Sequence, residues 1–224
     1  MGKMTKHLQR DIERVERGIL EIGALVEQSI HKAIAAHIAG RAELVKEVLA
    51  LDKEIDRREV ELEEDCLKIL ALHQPVAVDL RYIVATIKVN STLERMGDHA
   101  CNIARAARTI NRLTNGTGSD ELSIIADRVT DMVRLSLNAL VKMDVDAARE
   151  VLSRDDEVDD ANHAICDRLK QEMSLDASTV GQGVEMLLAS RHLERIADLT
   201  TNVAEDVIFM VEGDIVRHGM HQED

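Results

Sequence analysis

The sequence predicts an all-α protein: six helices forming two tandem three-helix bundles related by internal duplication. Three observations lead there. Apolar residues recur at alternating steps of three and four along most of the chain, the spacing that lines them up on one stripe of a helix. Aromatics, which favour sheets, make up only 1%, with Tyr82 and Phe209 the two examples, and proline occurs once, at Pro75. Charged motifs of the first half also return, in the same order, in the second.

The first helix is expected from about residue 5 to Ala39, carried by Leu8, Ile12, Val15, Ile19, Ile22 and Val26 and stopped before Gly40. A second starts near Arg41, carries Val48, Leu51, Ile55, Leu62 and Ile69, and stops at His73-Gln74-Pro75. Proline excludes helical backbone from the residue before it, which makes that corner a firm boundary. A third follows Pro75 to about Leu113, with Leu93, Met96, Ala100, Ile103, Ala107, Ile110 and Leu113 as its seam. Residues 114–119, Thr-Asn-Gly-Thr-Gly-Ser, read as a linker. The fourth helix spans about Asp120 to Lys142, ending in a turn at Asp144. The fifth spans about Val145 to Met173, with Ser174-Leu175-Asp176 breaking it. The sixth spans about Ser178 to Glu212, with Leu193, Ile196, Thr200, Val203, Val207 and Met210 as its seam. Each half is thus an antiparallel triplet joined by short turns.

The triplets are copies. L-D-K-E-I-D at 51–56 matches R-D-D-E-V-D at 154–159, and Val48-Leu49 match Val151-Leu152 at the same offset of 103. L-E-R-M-G-D-H-A-C-N-I-A at 93–104 matches L-E-R-I-A-D-L-T-T-N-V-A at 193–204, identical at six of twelve positions. Shared helical composition does not reproduce that order of Glu, Arg, Asp and Asn, so a duplication is the economical explanation. The expected division is residues 1–115 for the first repeat, 116–213 for the second and 214–224 for a polar tail.

The chain of 224 residues is long enough for one large domain or two of roughly 100 residues. Its net charge of −14, from 42 acidic and 28 basic residues, repels phosphate backbones. With no aromatic platform for stacking bases, nucleic-acid binding is not expected. Cys66, Cys101 and Cys166 show no pairing pattern and read as thiols in a reducing compartment. The N-terminus has no apolar signal core, Lys6 breaks a myristoylation pattern after Gly2, and no run approaches the roughly 18 apolar residues of a membrane span. A soluble cytoplasmic protein without membrane insertion is expected. No phosphate-binding loop, nucleophile elbow or H-E-x-x-H occurs, so catalysis has no visible seat.

The candidate site residues are acidic. At ~100° per residue, Glu94 and Asp98 share a flank beside the seam of the third helix, with Asn102 a turn further. Glu194, Asp198 and Asn202 take the same flank of the sixth helix, and Arg95 and Arg195 lie beside each pair. Like charges four residues apart cost only about 0.2–0.5 kcal/mol, so a solvated face relieved by the arginines accounts for them without a function. A second acidic stripe supports the other reading. Asp52, Asp56, Glu59 and Glu63 run along the second helix; Asp155 and Asp159 repeat the first two on the fifth, with Asn162 in the third slot. Should these flanks meet, they suit hard cations such as Mg²⁺, Mn²⁺ or ferric iron. Spacing leaves both readings open. A di-iron carboxylate bundle needs Glu-x-x-His on two helices, and only Asp160-x-x-His163 comes near, once.

Two three-helix repeats, Q-P-V-A-x-D-L-R at 74–81 and L-E-R-x-x-D in each copy together resemble the PhoU family over essentially the whole chain. The one departure is that D-L-R has no clear copy in the second half. The resemblance implies the PhoU-like fold and iron or zinc clusters at Glu94 and Asp98 in one repeat and Glu194 and Asp198 in the other. Asp52 and Asp56, and Asp155 and Asp159, are the candidates to complete them. It further implies a non-enzymatic adaptor that represses phosphate uptake and the phosphate-starvation response. Its implied partners are the ATPase subunit of a phosphate ABC transporter and a sensor histidine kinase, with a homodimer as its assembly. A metal-storage or oxidase bundle is the alternative, and a plain helical scaffold a third reading.

Overall fold

The computed structural model describes residues 6–114 and 121–213. Within them lie six α-helices: α1 (Lys6–Ala39), α2 (Ala42–His73), α3 (Ala77–Thr114), α4 (Glu121–Lys142), α5 (Val145–Leu175) and α6 (Val180–Glu212). The expected linker begins inside the last turn of α3. Its remainder, the 115/116 boundary, the tail over 214–224 and the side chain of Leu113 fall outside the described residues.

The stripes that the spacing marks are buried except at Leu51 on α2, which is half-buried, and at Leu113 on α3, whose side chain is not described. Leu8, Ile12, Val15, Ile19, Ile22 and Val26 are all buried on α1, and Val48, Ile55, Leu62 and Ile69 on α2. The six described seam residues of α3 and all six of α6 are buried. The corners follow from local chemistry. Gly40 (φ 64°) and Gly213 (φ 83°) take the left-handed conformation that ends α1 and α6. At the α2–α3 corner Gln74 is left-handed (φ 47°) and its N–H donates to the Leu70 carbonyl at 3.3 Å, while Pro75 prevents continuation. Asp144 caps α5 by accepting from the Ala147 N–H at 3.1 Å.

The end of α5 differs from expectation. The helix continues to Leu175, and Asp176 is the breaker: its carboxylate accepts from the Ser178 N–H at 2.8 Å and caps a single 3₁₀ turn, Ala177–Thr179, that leads into α6. Ser174 instead turns its hydroxyl back to the Gln171 carbonyl and stays helical.

The helices pack in two layers of connection. Within repeats, α1, α2 and α3 pack on one another, as do α4, α5 and α6. Between repeats, α3 packs on α6 and α1 on α4, making a four-helix centre flanked by α2 and α5. Both crossings are antiparallel. Arg81 Nε donates to the Met210 carbonyl at 2.8 Å, and Lys88 Nζ meets Asp206 at 3.0 Å. On the other crossing, Arg134 meets Glu27 at 2.7 Å. Gly23 permits that approach, because a Cβ there would sit 2.1 Å from Leu137 Cδ1. One continuous apolar core therefore runs through both repeats. Among the described residues no helix is long and apolar enough to cross a membrane.

Candidate functional site

The acidic flanks of α2 and α3 meet, and so do those of α5 and α6. In the first repeat Gly97 lets α2 come close: a Cβ there would stand 3.0 Å from Ile55 Cδ1 and 3.8 Å from Asp52 Oδ1. Asp52 therefore faces α3 at Gly97, the residue next to Asp98 and three after Glu94. Glu94 is half-buried, and its carboxyl is pushed above the usual range by burial and then by Asp98, Glu59, Asp56 and Asp52. Asp56 is pushed up by burial, Asp52 and Asp98, and Glu59 by burial, Glu63 and Asp56. Carboxylates on two helices thus repel one another across a single seam. Cys101 is buried beside them, its Sγ 3.9 Å from the Val48 carbonyl; burial and Asp52 push the thiol up to about 12, which leaves it protonated and inert.

In the second repeat Asp155 occupies the place of Asp52. Burial, then Asp159, Asp198, Asp156 and Glu194, push its carboxyl up to about 6. Its Oδ1 is buried without a hydrogen-bond partner. An orphaned carboxylate oxygen among four other carboxylates is a set of oxygens with no donor hydrogen, the chemistry that hard cations prefer. Carboxylate oxygens suit such an ion by donor type in both repeats, and the orphaned oxygen is found in the second. Among the described residues, no three His, Cys, Asp or Glu side chains already stand in ligating geometry.

The remaining candidates divide. Arg195 pairs with Asp198 at 3.3 Å, which ties it to the acidic flank. Asn102 accepts from Arg105 at 2.7 Å and is half-buried, whereas Asn202 and Arg95 are exposed. Asp160 and His163, the nearest approach to a di-iron motif, are both exposed on α5.

Two contacts were not visible in the spacing. His99 on α3 and His192 on α6 bring their Nδ1 atoms to 3.1 Å, so one ring donates and the other accepts across the repeat junction. Burial holds both below the ordinary histidine range. Their side chains come from helices 93 residues apart in sequence, and no local signal joins them. The second feature is Asn162, which is buried and donates from Nδ2 to Glu194 Oε2 at 2.7 Å. Its position in the acidic ladder was visible in the sequence; its burial and its partner were not.

Comparison with known proteins gives a consistent picture. The PhoU domain matches residues 19–107 and 122–207. The phosphate-specific transport system accessory protein PhoU homolog of Clostridium acetobutylicum is 34% identical over 212 residues, covering 94% of this chain and 97% of that protein. The crystal structure of PhoU from Pseudomonas aeruginosa superposes with a TM-score of 0.86 at 33% identity, covering 92% of this chain and 99% of that one. The phosphate transport system regulatory protein PhoU from Streptococcus pneumoniae gives 0.85 at 25% identity, covering 93% and 99%.

Proposed function

The chain belongs to the PhoU family, and on that premise we propose that it is a non-enzymatic cytoplasmic regulator of phosphate transport. In this reading it represses phosphate uptake and the starvation response when phosphate is plentiful. It does so by coupling the ATPase subunit of a phosphate ABC transporter to a sensor histidine kinase. The observation that carries the reading is the pairing of matched carboxylate sets on neighbouring helices of both repeats, in a chain similar along nearly its whole length to transport accessory proteins.

The physical role of the acidic seams follows from their repulsion. As they stand, Asp52, Asp56, Glu59, Glu94 and Asp98 repel one another between α2 and α3, as do Asp155, Asp159, Glu194 and Asp198 between α5 and α6, and the buried apolar seams hold the helices together against that charge. We assign these residues as the cation-holding sets, for iron, zinc, magnesium or manganese. A bound cation supplies the counter-charge that fixes each outer helix on the four-helix centre. Arg195 and Asp198 already share a bond, so this chain moderates the charge of the second set by itself.

Two measurements test the reading. Deleting the gene is expected to switch on phosphate-responsive genes in phosphate-rich medium; unchanged repression refutes the regulatory role. Elemental analysis of purified protein is expected to find metal that is lost when Glu94, Asp98, Glu194 and Asp198 are all alanine. Equal metal content in both proteins would remove the cation assignment and leave the regulatory one standing.

A further inference from the structure

The first helices of the two repeats differ in length: α1 has 34 residues and α4 only 22. They run antiparallel, with Gly23 opposite Leu137 and Glu27 paired with Arg134 at 2.7 Å. Six residues beyond Leu137, Met143 follows the end of α4 and stands opposite about residue 17 of α1. About three turns at the start of α1 therefore have no α4 beside them. In that place lies a groove of about 490 Å³, lined by Glu13 and Glu16 of α1, Asp79 and Tyr82 of α3, and an apolar lip of Val78 and Met143.

The groove is unanswered in charge. Glu27 and Glu16 lie eleven residues apart, about three turns, and so share one face of α1. Where α4 is present, Arg134 answers Glu27. Past its end, among the described residues, Glu16 and Asp79 have no ion pair or hydrogen bond, and Glu13 has only the Gln9 amide at 3.2 Å. Tyr82 is 4% exposed, and its hydroxyl is buried without a hydrogen-bond partner, the Thr86 hydroxyl donating instead to the Tyr82 carbonyl at 2.9 Å. Three carboxylates and an unmet hydroxyl oxygen are acceptors that lack a cationic donor.

Met143 adds an apolar preference at a steric cost. It takes the left-handed position after α4 (φ 53°), with its N–H donating to the Leu140 carbonyl and that of Asp144 to Ala139. The ends of α1 and α6 place Gly40 and Gly213 in that conformation. A glycine would relax the backbone here and remove half of the lip.

We propose that this groove docks a helical segment of a partner protein, one that continues the line of α4 and presents arginine or lysine between apolar side chains. Apolar residues of the segment cover Val78 and Met143, and its cation meets Glu16, Asp79 and Glu13 as Arg134 meets Glu27. Anionic surfaces, whether lipid or nucleic acid, are repelled. A second copy meeting this face about a two-fold axis would set the same carboxylates against one another. Such docking requires neither phosphate regulation nor a bound metal cation.

The test uses the full chain and a fluorescein-labelled synthetic helix of about five turns, with a leucine stripe flanked by arginines, read by anisotropy. A counterpart carries glutamine in place of arginine. The arginine helix is expected to bind at least about tenfold more tightly than its counterpart, and Glu16→Gln with Asp79→Asn to remove that advantage. Asp160→Asn with Asp167→Asn, an equal loss of charge at exposed positions of α5, is expected to leave binding within about twofold. Met143→Gly is expected to raise Tm and yet weaken the arginine helix several-fold. No binding, equal binding of the two helices, or equal weakening by both pairs of substitutions would overturn the docking site. So would a Met143→Gly protein that gains stability and binds like wild type. Arg217→Gln tightening the arginine helix about tenfold would give the groove to residues 214–224 of the chain itself. Groove substitutions that turn a wild-type dimer into a monomer would give it to a second copy, and either result refutes the partner segment. None of these outcomes bears on the deletion phenotype or the metal content.

Discussion

In the first repeat Ile55 of α2 packs over Gly97 of α3; in the second the same two positions are Val158 and Ala197. One methylene group less on one helix accompanies one methyl group more on the other, and all four positions are buried. A few residues away, Glu59 becomes Asn162 with no compensating charge among the acids of α6. Duplicated cores keep their summed volume because a close-packed interior resists both voids and overlap. On the flanks the copies diverged in charge as well as burial: Glu59 is half-buried in the acidic seam, whereas Asn162 is buried with its amide held between Ser190 and Glu194. The seams of the two repeats should accordingly respond alike to mutation, and the flanks differently.

The largest effect is expected from the seams. Leu93→Ala and Leu193→Ala each remove a fully buried side chain and should cost about 2–5 kcal/mol in chemical denaturation. Costs that differ severalfold between the two would break the equivalence. Next comes the volume exchange. Gly97→Ala alone places a methyl 3.0 Å from Ile55 Cδ1 and should lose about 1 kcal/mol, after the helix propensity of alanine is counted. Adding Ile55→Val recreates the pairing of the second repeat and should recover most of the loss. A double-mutant cycle showing no coupling would refute the compensation.

The flanks supply the pH dependence. The Asp155 carboxyl, near 6 when folded against 3.8 when unfolded, binds protons more readily in the folded state. Its contribution therefore favours folding at acid pH and is lost as pH rises from about 4 through 6. In the presence of a chelator, Asp155→Asn should raise Tm at pH 7.5 and leave it close to wild type at pH 4. A variant that lowers Tm at pH 7.5 would show that this carboxylate has a partner the seam does not reveal. The smallest effect belongs to Arg195, whose pairing with Asp198 is exposed. Arg195→Ala should change stability by no more than about 0.5 kcal/mol, within the error of a thermal melt.

Much of the site was legible because a helix is a local structure. Glu94, Asp98, Glu194 and Asp198 share their flank by a spacing of four residues, whatever packs beside them. That these flanks face Asp52 and Asp56, or Asp155 and Asp159, required the antiparallel packing of two helices, which the short turns imply but do not fix in rotation. The shift of the α5 boundary has a smaller cause. Ser174, Leu175 and Asp176 all read as a break, yet only Asp176 has a side chain that captures the next turn's N–H.

The sequence by itself determined the six helices, their buried stripes and the duplication, because periodicity, caps and repeated motifs act over a few residues. Tertiary structure alone decided that one core runs through both repeats, that His99 meets His192, that Arg81 holds the end of α6, and that Asn162 is buried against Glu194. Those facts depend on how helices rotate and slide against one another, and that is set by side-chain packing summed over the whole bundle.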